Sequence, residues 1–239
     1  MYLKSITINR DQFPTRDVFP FNVPAFQETD KIDLDSNIIF FVGRNGTGKS
    51  ALLDAIGRIR GFLPWGGSKT HRVHNNPYET RLANFITLTM RRRHPYGFHF
   101  RAETFFNFAS SLDDIYLDDP ARDQYFGGGS LNTLSHGESF LAFFKGYSFQ
   151  LDGLYLLDEP EAALSPQNQA KFVNIIRKSV QNGNKQYIIV THSPIILGCP
   201  DVQILSFDAP GIQSIEYKQT DSYRFYKKFL EDPTKFFCS

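Results

Sequence analysis

The sequence predicts an α/β fold, a mainly parallel central sheet flanked by helices. Three observations carry that expectation. Unbroken apolar runs of strand length recur at Ile38-Ile39-Phe40-Phe41-Val42, Leu154-Tyr155-Leu156-Leu157 and Tyr187-Ile188-Ile189-Val190, as strands buried on both faces require. Segments with apolar residues on one helical face follow the first two, in Ala51 to Ile56 and Pro166 to Asn182. Between the first strand and its helix lies Gly43-Arg44-Asn45-Gly46-Thr47-Gly48-Lys49-Ser50, a glycine-rich strand-to-helix turn. At 239 residues the chain is long enough for one well-buried domain and too short for two ordinary ones, so residues 1–239 are expected to form a single domain.

The turn reads G-x-x-x-x-G-K-S, the phosphate-binding P-loop, and its residue types have physical reasons. Glycines let the backbone curl its N–H groups inward, and the helix that follows points its positive end at a bound anion. Lys49 is expected to reach the β- and γ-phosphates of a nucleotide, and the Ser50 hydroxyl to ligate Mg²⁺. Gly43 to Ser50, with Ala51 behind them, are therefore candidate nucleotide-binding residues.

Composition bounds the rest. Lys and Arg number 26 against 25 Asp and Glu, so bulk charge predicts neither a nucleic-acid binder nor an enzyme of acidic substrates. The two cysteines, Cys199 and Cys238, lack metal or redox spacing and are too few for a disulfide scaffold, which points to reduced thiols. No apolar stretch reaches membrane-spanning length, and the alternating start at Met1 to Ile8 reads as a strand rather than a secretion signal. A cytoplasmic protein without an integral membrane segment is expected. The 24 Phe residues favour a core built on aromatic packing over an apolar contact surface.

In chain order, residues 2 to 8 alternate as a strand, and 11 to 30 form a stiff Pro- and Phe-containing stretch in which Phe13, Arg16 and Phe19 are candidates to stack on a base. Residues 61 to 72, with Trp65, read as a mobile surface loop. Alternation over 84 to 92 and 97 to 101 predicts a hairpin with Arg91, Arg92 and Arg93 at its end, read as a solvated face before a phosphate-backbone grip. The aspartates between 113 and 123 lack calcium-loop spacing and read as a solvated loop closing in Gly127-Gly128-Gly129-Ser130. Leu134-Ser135-His136-Gly137-Glu138-Ser139 then precedes a Phe-rich helical segment, 140 to 147, and makes either an anion site or an ordinary helix start.

The second apolar run ends in Asp158-Glu159. Parallel to the P-loop strand, it would set Asp158 beside Mg²⁺ and Glu159 where it could polarise a water attacking the γ-phosphate. The third run ends at Thr191-His192-Ser193-Pro194, with His192 directed at the γ-phosphate. Residues 202 to 207 and 212 to 217 read as a closing hairpin and 221 to 231 as a terminal helix. There is no internal repeat.

G-x-x-x-x-G-K-S, L-S-x-G-E, an apolar run ending in D-E, and a strand ending in His, in that order, resemble the ATP-binding-cassette ATPases. Leu134 to Glu138, Asp158-Glu159-Pro160-Glu161 and Thr191 to Pro194 look more like the SMC, RecF and OLD-type branch, and His136 to Phe140, Leu154 to Pro166 and Phe100 to Asn107 resemble small stand-alone bacterial ATPases. The resemblance implies a P-loop core with an antiparallel β subdomain and a small helical signature region, a lobe of about residues 100–150. It implies a head-to-tail homodimer on ATP binding, each ATP held by Gly43 to Ser50 of one copy and Ser135, Gly137 and Glu138 of the other. Asp158 would then serve Mg²⁺, Glu159 the attacking water, and Lys49 and His192 the phosphates. A separate protein partner is implied, with DNA as a further candidate.

The chain departs from that pattern twice. Where the family has a Gln that senses Mg²⁺ and the water, Arg101-Ala102-Glu103-Thr104 stands, leaving Glu103 as a substitute metal-side residue or Gln124 in its place. Where the family has Ser-Ala-Leu-Asp, this chain has Ala162-Ala163-Leu164-Ser165. No stretch accommodates a long coiled coil, and the part after His192 is too short for the nuclease domain of OLD proteins. The expected activity is Mg²⁺-dependent ATP hydrolysis driving a partner in DNA repair or defence against foreign DNA. The rival readings are the ATP-binding subunit of a membrane transporter and a nucleotide-gated binding module with little hydrolysis.

Overall fold

The computed structural model describes residues 1–62, 76–78, 80–92, 96–102, 136–146, 149–182 and 184–237. Strands β1 (Leu3–Ile8), β2 (Lys31–Asp33), β3 (Ile38–Val42), β4 (Ile86–Met90), β5 (Tyr96–Arg101), β6 (Gly153–Asp158), β7 (Lys185–Val190), β8 (Gln203–Ser206) and β9 (Gln213–Ser214) make two sheets. Helices are α1 (Pro24–Gln27), α2 (Lys49–Arg60), α3 (His136–Lys145), α4 (Pro166–Asn182), α5 (Pro194–Leu197) and α6 (Asp221–Glu231).

Among the described residues the main sheet runs in the order β5-β6-β7-β3-β8-β9. It is parallel except for β9. A second, antiparallel sheet runs β2-β1-β4. The three apolar runs thus lie in the middle of the parallel sheet, where both faces are covered.

Period-two alternation sorts their side chains into two cores. Ile38, Phe40, Tyr155, Leu157, Tyr187 and Ile189 face α3 and α4. Ile39, Phe41, Leu154, Leu156, Ile188 and Val190 face α2 and the antiparallel sheet. The first core is the aromatic one. Phe140, Phe144 and Phe172 pack with ring centroids 4.6–5.7 Å apart, so the high Phe content is largely spent on packing. A few aromatics near the end of the chain, Phe225 and Phe237 among them, are exposed.

The hairpin expected from residues 84–101 does not form. β4 pairs antiparallel with β1, and β5 pairs parallel with β6. The reason lies in burial: β4 alternates between covered and open positions, as a one-sided strand does, whereas Phe98, His99 and Phe100 are all buried and need a place with both faces covered. Helix α3 begins earlier than expected, at His136, so Gly137 and Glu138 lie inside its first turn. The closing hairpin forms as β8 and β9, and α4 and α6 hold their expected spans. The loop expected around Trp65, beyond Phe62, and the acidic stretch at 113–123 lie outside the described residues.

Register positions the site. Asp158 on β6 pairs with Val190 on β7, and Phe41 on β3 pairs with the same Val190. The ends of all three strands therefore open at one level, the carboxyl edge of the sheet, where open α/β sheets bind ligands.

Candidate functional site

The turn after β3 takes the shape that its glycines permit. Gly48 has φ +93°, and a Cβ there would come within 2.6 Å of the Phe26 ring. Gly43, at φ +144°, lies against Asp208, whose Oδ1 would be 3.3 Å from an added Cβ. The same Oδ1 accepts the Arg44 N–H at 2.7 Å. Asp208 therefore fixes the outer side of the turn from the loop after β8, a contact between residues 164 positions apart.

Lys49 is buried at the start of α2. Its Nζ donates to the carbonyls of Gly43 at 2.6 Å and Arg44 at 2.8 Å. Burial lowers its pKa, and Asp208, Glu159 and Asp158 pull it back up. One residue on, the Ser50 hydroxyl donates to Asp158 Oδ1 at 3.0 Å. Burial raises the Asp158 carboxyl to about 6 against the opposing Arg101 charge and the Ser50 hydrogen bond.

Glu159 occupies the left-handed region, φ 49° and ψ 53°, a strained position for a residue with a side chain. The turn is held by its N–H donating to the Val190 carbonyl at 2.9 Å. Its Oε1 sits 3.9 Å from His192 Nε2. His192 is set by its own N–H donating to Glu161 Oε1 at 2.6 Å. Burial and the Lys49 ammonium lower the His192 pKa, so the imidazole is neutral at pH 7.

Two cavities share Ser50 and Glu159. One, about 220 Å³, is lined by Phe19, Asn45, Gly46, Lys49 and Ala51 as well. The other, about 160 Å³, adds Arg101, Ala102, Asp158 and Ala162. A third, about 410 Å³, has Gly43, Arg44, His192 and Asp208 in its wall. Of the stacking candidates, Phe19 borders the P-loop cavity, Phe13 packs on Phe21 and Phe85, and Arg16 is exposed.

The structure thus gathers Gly43 to Ala51, Asp158, Glu159 and His192 at one edge. Gly137 and Glu138, in the first turn of α3, are not among the described residues that line these three cavities. Ser135, Glu103 and Gln124 lie outside the described residues. Sequence reading missed Asp54, Asp208 and Glu161. It named Arg101 only as occupying a variant position, although an Arg ending a strand beside a D-E strand is a signal of sorts.

The donor set fits a nucleotide with Mg²⁺. His192 Nε2 is a buried nitrogen without a hydrogen-bond partner, which a phosphate oxygen would satisfy. Among the described residues no group of three His, Cys, Asp or Glu is placed to hold a metal unaided. A hydroxyl and one carboxylate are the sparse set that Mg²⁺ uses when phosphate oxygens and waters complete its shell.

Residues 128–197 match the family described as AAA ATPase domain, and residues 21–70 match the family described as AAA domain. Similar solved structures include a putative metal-chelate type ABC transporter in an inward-facing conformation, at 18% identity and TM-score 0.50, covering 95% of this chain and 88% of that one. The SMC head domain from Thermotoga maritima matches at 15% identity and TM-score 0.49 over 90% and 99%. A nucleotide-free ATP-binding cassette from an ABC transporter matches at 14% and 0.47 over 97% and 96%. At these identities the likeness concerns the fold. No curated protein matches the sequence significantly. The fold is that of P-loop ATP-binding cassettes, and the two family matches fall on the segments that carry the P-loop, Asp158, Glu159 and His192.

Proposed function

We propose that the chain binds and hydrolyses ATP with Mg²⁺ in the cleft between the P-loop and the end of β6. The observation that carries this reading is the Ser50 Oγ to Asp158 Oδ1 contact at 3.0 Å, which brings together a hydroxyl and a carboxylate 108 positions apart that could hold the ion. Ser50 and Asp158 would hold Mg²⁺, which would supply charge neutralisation to the phosphates. Lys49, now satisfied by its own loop's carbonyls, has donors to turn toward phosphate. Glu159 orients and deprotonates the attacking water, and His192, neutral and with Nε2 unsatisfied, hydrogen-bonds the γ-phosphate side.

Ser135, Gly137 and Glu138 serve the site in this reading from a second copy packed head to tail. Support comes from the resemblance of Leu134 to Glu138 to the signature motif of the ATP-binding-cassette ATPases. ATP would then join two surfaces and hydrolysis release them, driving a separate protein partner, with DNA repair or defence against foreign DNA as the process. Among the described residues no helix is long and apolar enough to cross a membrane. Light scattering on the Glu159→Gln protein tests the reading: Mg-ATP should convert monomer to dimer. A monomer at saturating Mg-ATP sinks the two-copy site, and co-elution with double-stranded DNA would add DNA as a partner.

A further inference from the structure

Arg101 closes β5 directly beside Asp158, its register partner at the end of β6. Its Nε is 3.7 Å from Asp158 Oδ2, on the opposite side of the carboxylate from Ser50. Its Nη2 pairs closely with Asp54 Oδ2. Asp54 lies one turn after Ser50 on α2 and so on the same helical face. The guanidinium therefore bridges two carboxylates, one from the helix and one from the strand, at the wall of the 160 Å³ cavity.

The surroundings limit which other group could do this. Lys49 is turned to the carbonyls of Gly43 and Arg44. His99, whose Nε2 is 3.5 Å from Asp54 Oδ1, is fully buried and held to about 3 by burial and the Arg101 and Arg58 charges, so it stays neutral. Two part-buried carboxylates without a cation between them would be strongly unfavourable. Among the described residues Arg101 is the cation that the structure sets on Asp158.

We propose that Arg101 is a positioning residue of the nucleotide site: it is the resident counter-cation of Asp158 and contends with the divalent ion for that carboxylate, while Asp54 draws it aside and so sets how readily Asp158 is released. The inference rests on the reading that Ser50 and Asp158 hold the ion. It assigns a role where the resemblance leads one to look for an amide, and it makes Asp54 act through Arg101.

The test measures Mn²⁺ binding by electron paramagnetic resonance with a non-hydrolysable ATP analogue present. Arg101→Gln removes the competitor and should tighten Mn²⁺ about three- to tenfold, the range of a part-buried ion pair. Asp54→Asn removes the carboxylate that draws the guanidinium aside from Asp158 and should weaken Mn²⁺ by a similar factor. The double variant should match Arg101→Gln alone, because in this proposal Asp54 acts on Asp158 through Arg101. Plain field effects of the two charges would instead add. Should Arg101→Gln not fold, Arg101→Lys, which cannot bridge both carboxylates, should tighten binding in the same direction by less. Unchanged or weaker Mn²⁺ binding in the folded Arg101 variant, or additivity in the cycle, overturns the inference. If wild-type protein and Ser50→Ala bind Mn²⁺ alike, the ion site itself is wrong, which is a separate failure.

Discussion

The floor of the cleft and its rim treat neighbouring carboxylates in opposite ways. On the floor, Asp158 keeps 12% of its side chain exposed and is tied on one oxygen by Ser50 and on the other by Arg101. On the rim, Glu159 is 48% exposed and the neutral His192 imidazole stands off at 3.9 Å. In the proposed reading, the carboxylate that would hold the ion is locked by its partners before ligand arrives, and the one that would exchange a proton with water is left room, while its backbone is pinned in a strained turn.

The largest effect should come from the rim. Glu159→Gln should lower the rate of phosphate release by roughly 10²- to 10⁴-fold while nucleotide affinity changes by only a few-fold; an unchanged rate would remove Glu159 from the proton transfer.

The floor should show its cost in stability. The Asp158 carboxyl titrates at about 6 in the fold against 3.8 when free. A raised acid favours the fold only while protonated, so that contribution is present below pH 4 and is lost as pH climbs to 6. The loss is at most about 3 kcal/mol. Without nucleotide, Asp158→Asn should therefore melt higher than wild type at pH 7 and lack the decline between pH 4 and 6, although its Mg-nucleotide binding fails. Parallel stability curves for the two proteins would show that the carboxylate is less confined than the contrast implies.

The outer side of the P-loop should respond less. Asp208→Ala removes the charged acceptor of the Arg44 N–H and should weaken ATP binding about tenfold, the scale of a hydrogen bond to an ionised group. The Arg44 side chain lies 78% exposed at 3.7 Å from the same carboxylate. Arg44→Ala should therefore change affinity by less than about threefold, and isothermal titration of both variants distinguishes backbone anchoring from a surface ion pair.

Much of this site is legible in the chain. The turn at 43–50, the carboxylate pair ending β6 and the His after β7 each follow an apolar run, and local pattern alone places them on strand ends. What the pattern misses is partnership. Alternation marks 84–92 and 97–101 as strands without saying that they belong to different sheets; only the double-sided burial of Phe98, His99 and Phe100 hints at it. Asp54 and Arg101 are 47 positions apart and look like ordinary surface charges until α2 packs beside β5.

By itself, then, the sequence determined the α/β class, the order of the chemical groups along the chain and the edge of the sheet at which they would emerge, because strand and helix periods and glycine turns are local properties. Only the tertiary structure decided which charges meet. Sheet order and register bring Ser50, Asp54, Arg101 and Asp158 into one partly dry cluster, and electrostatic coupling grows with burial and proximity rather than with nearness in sequence.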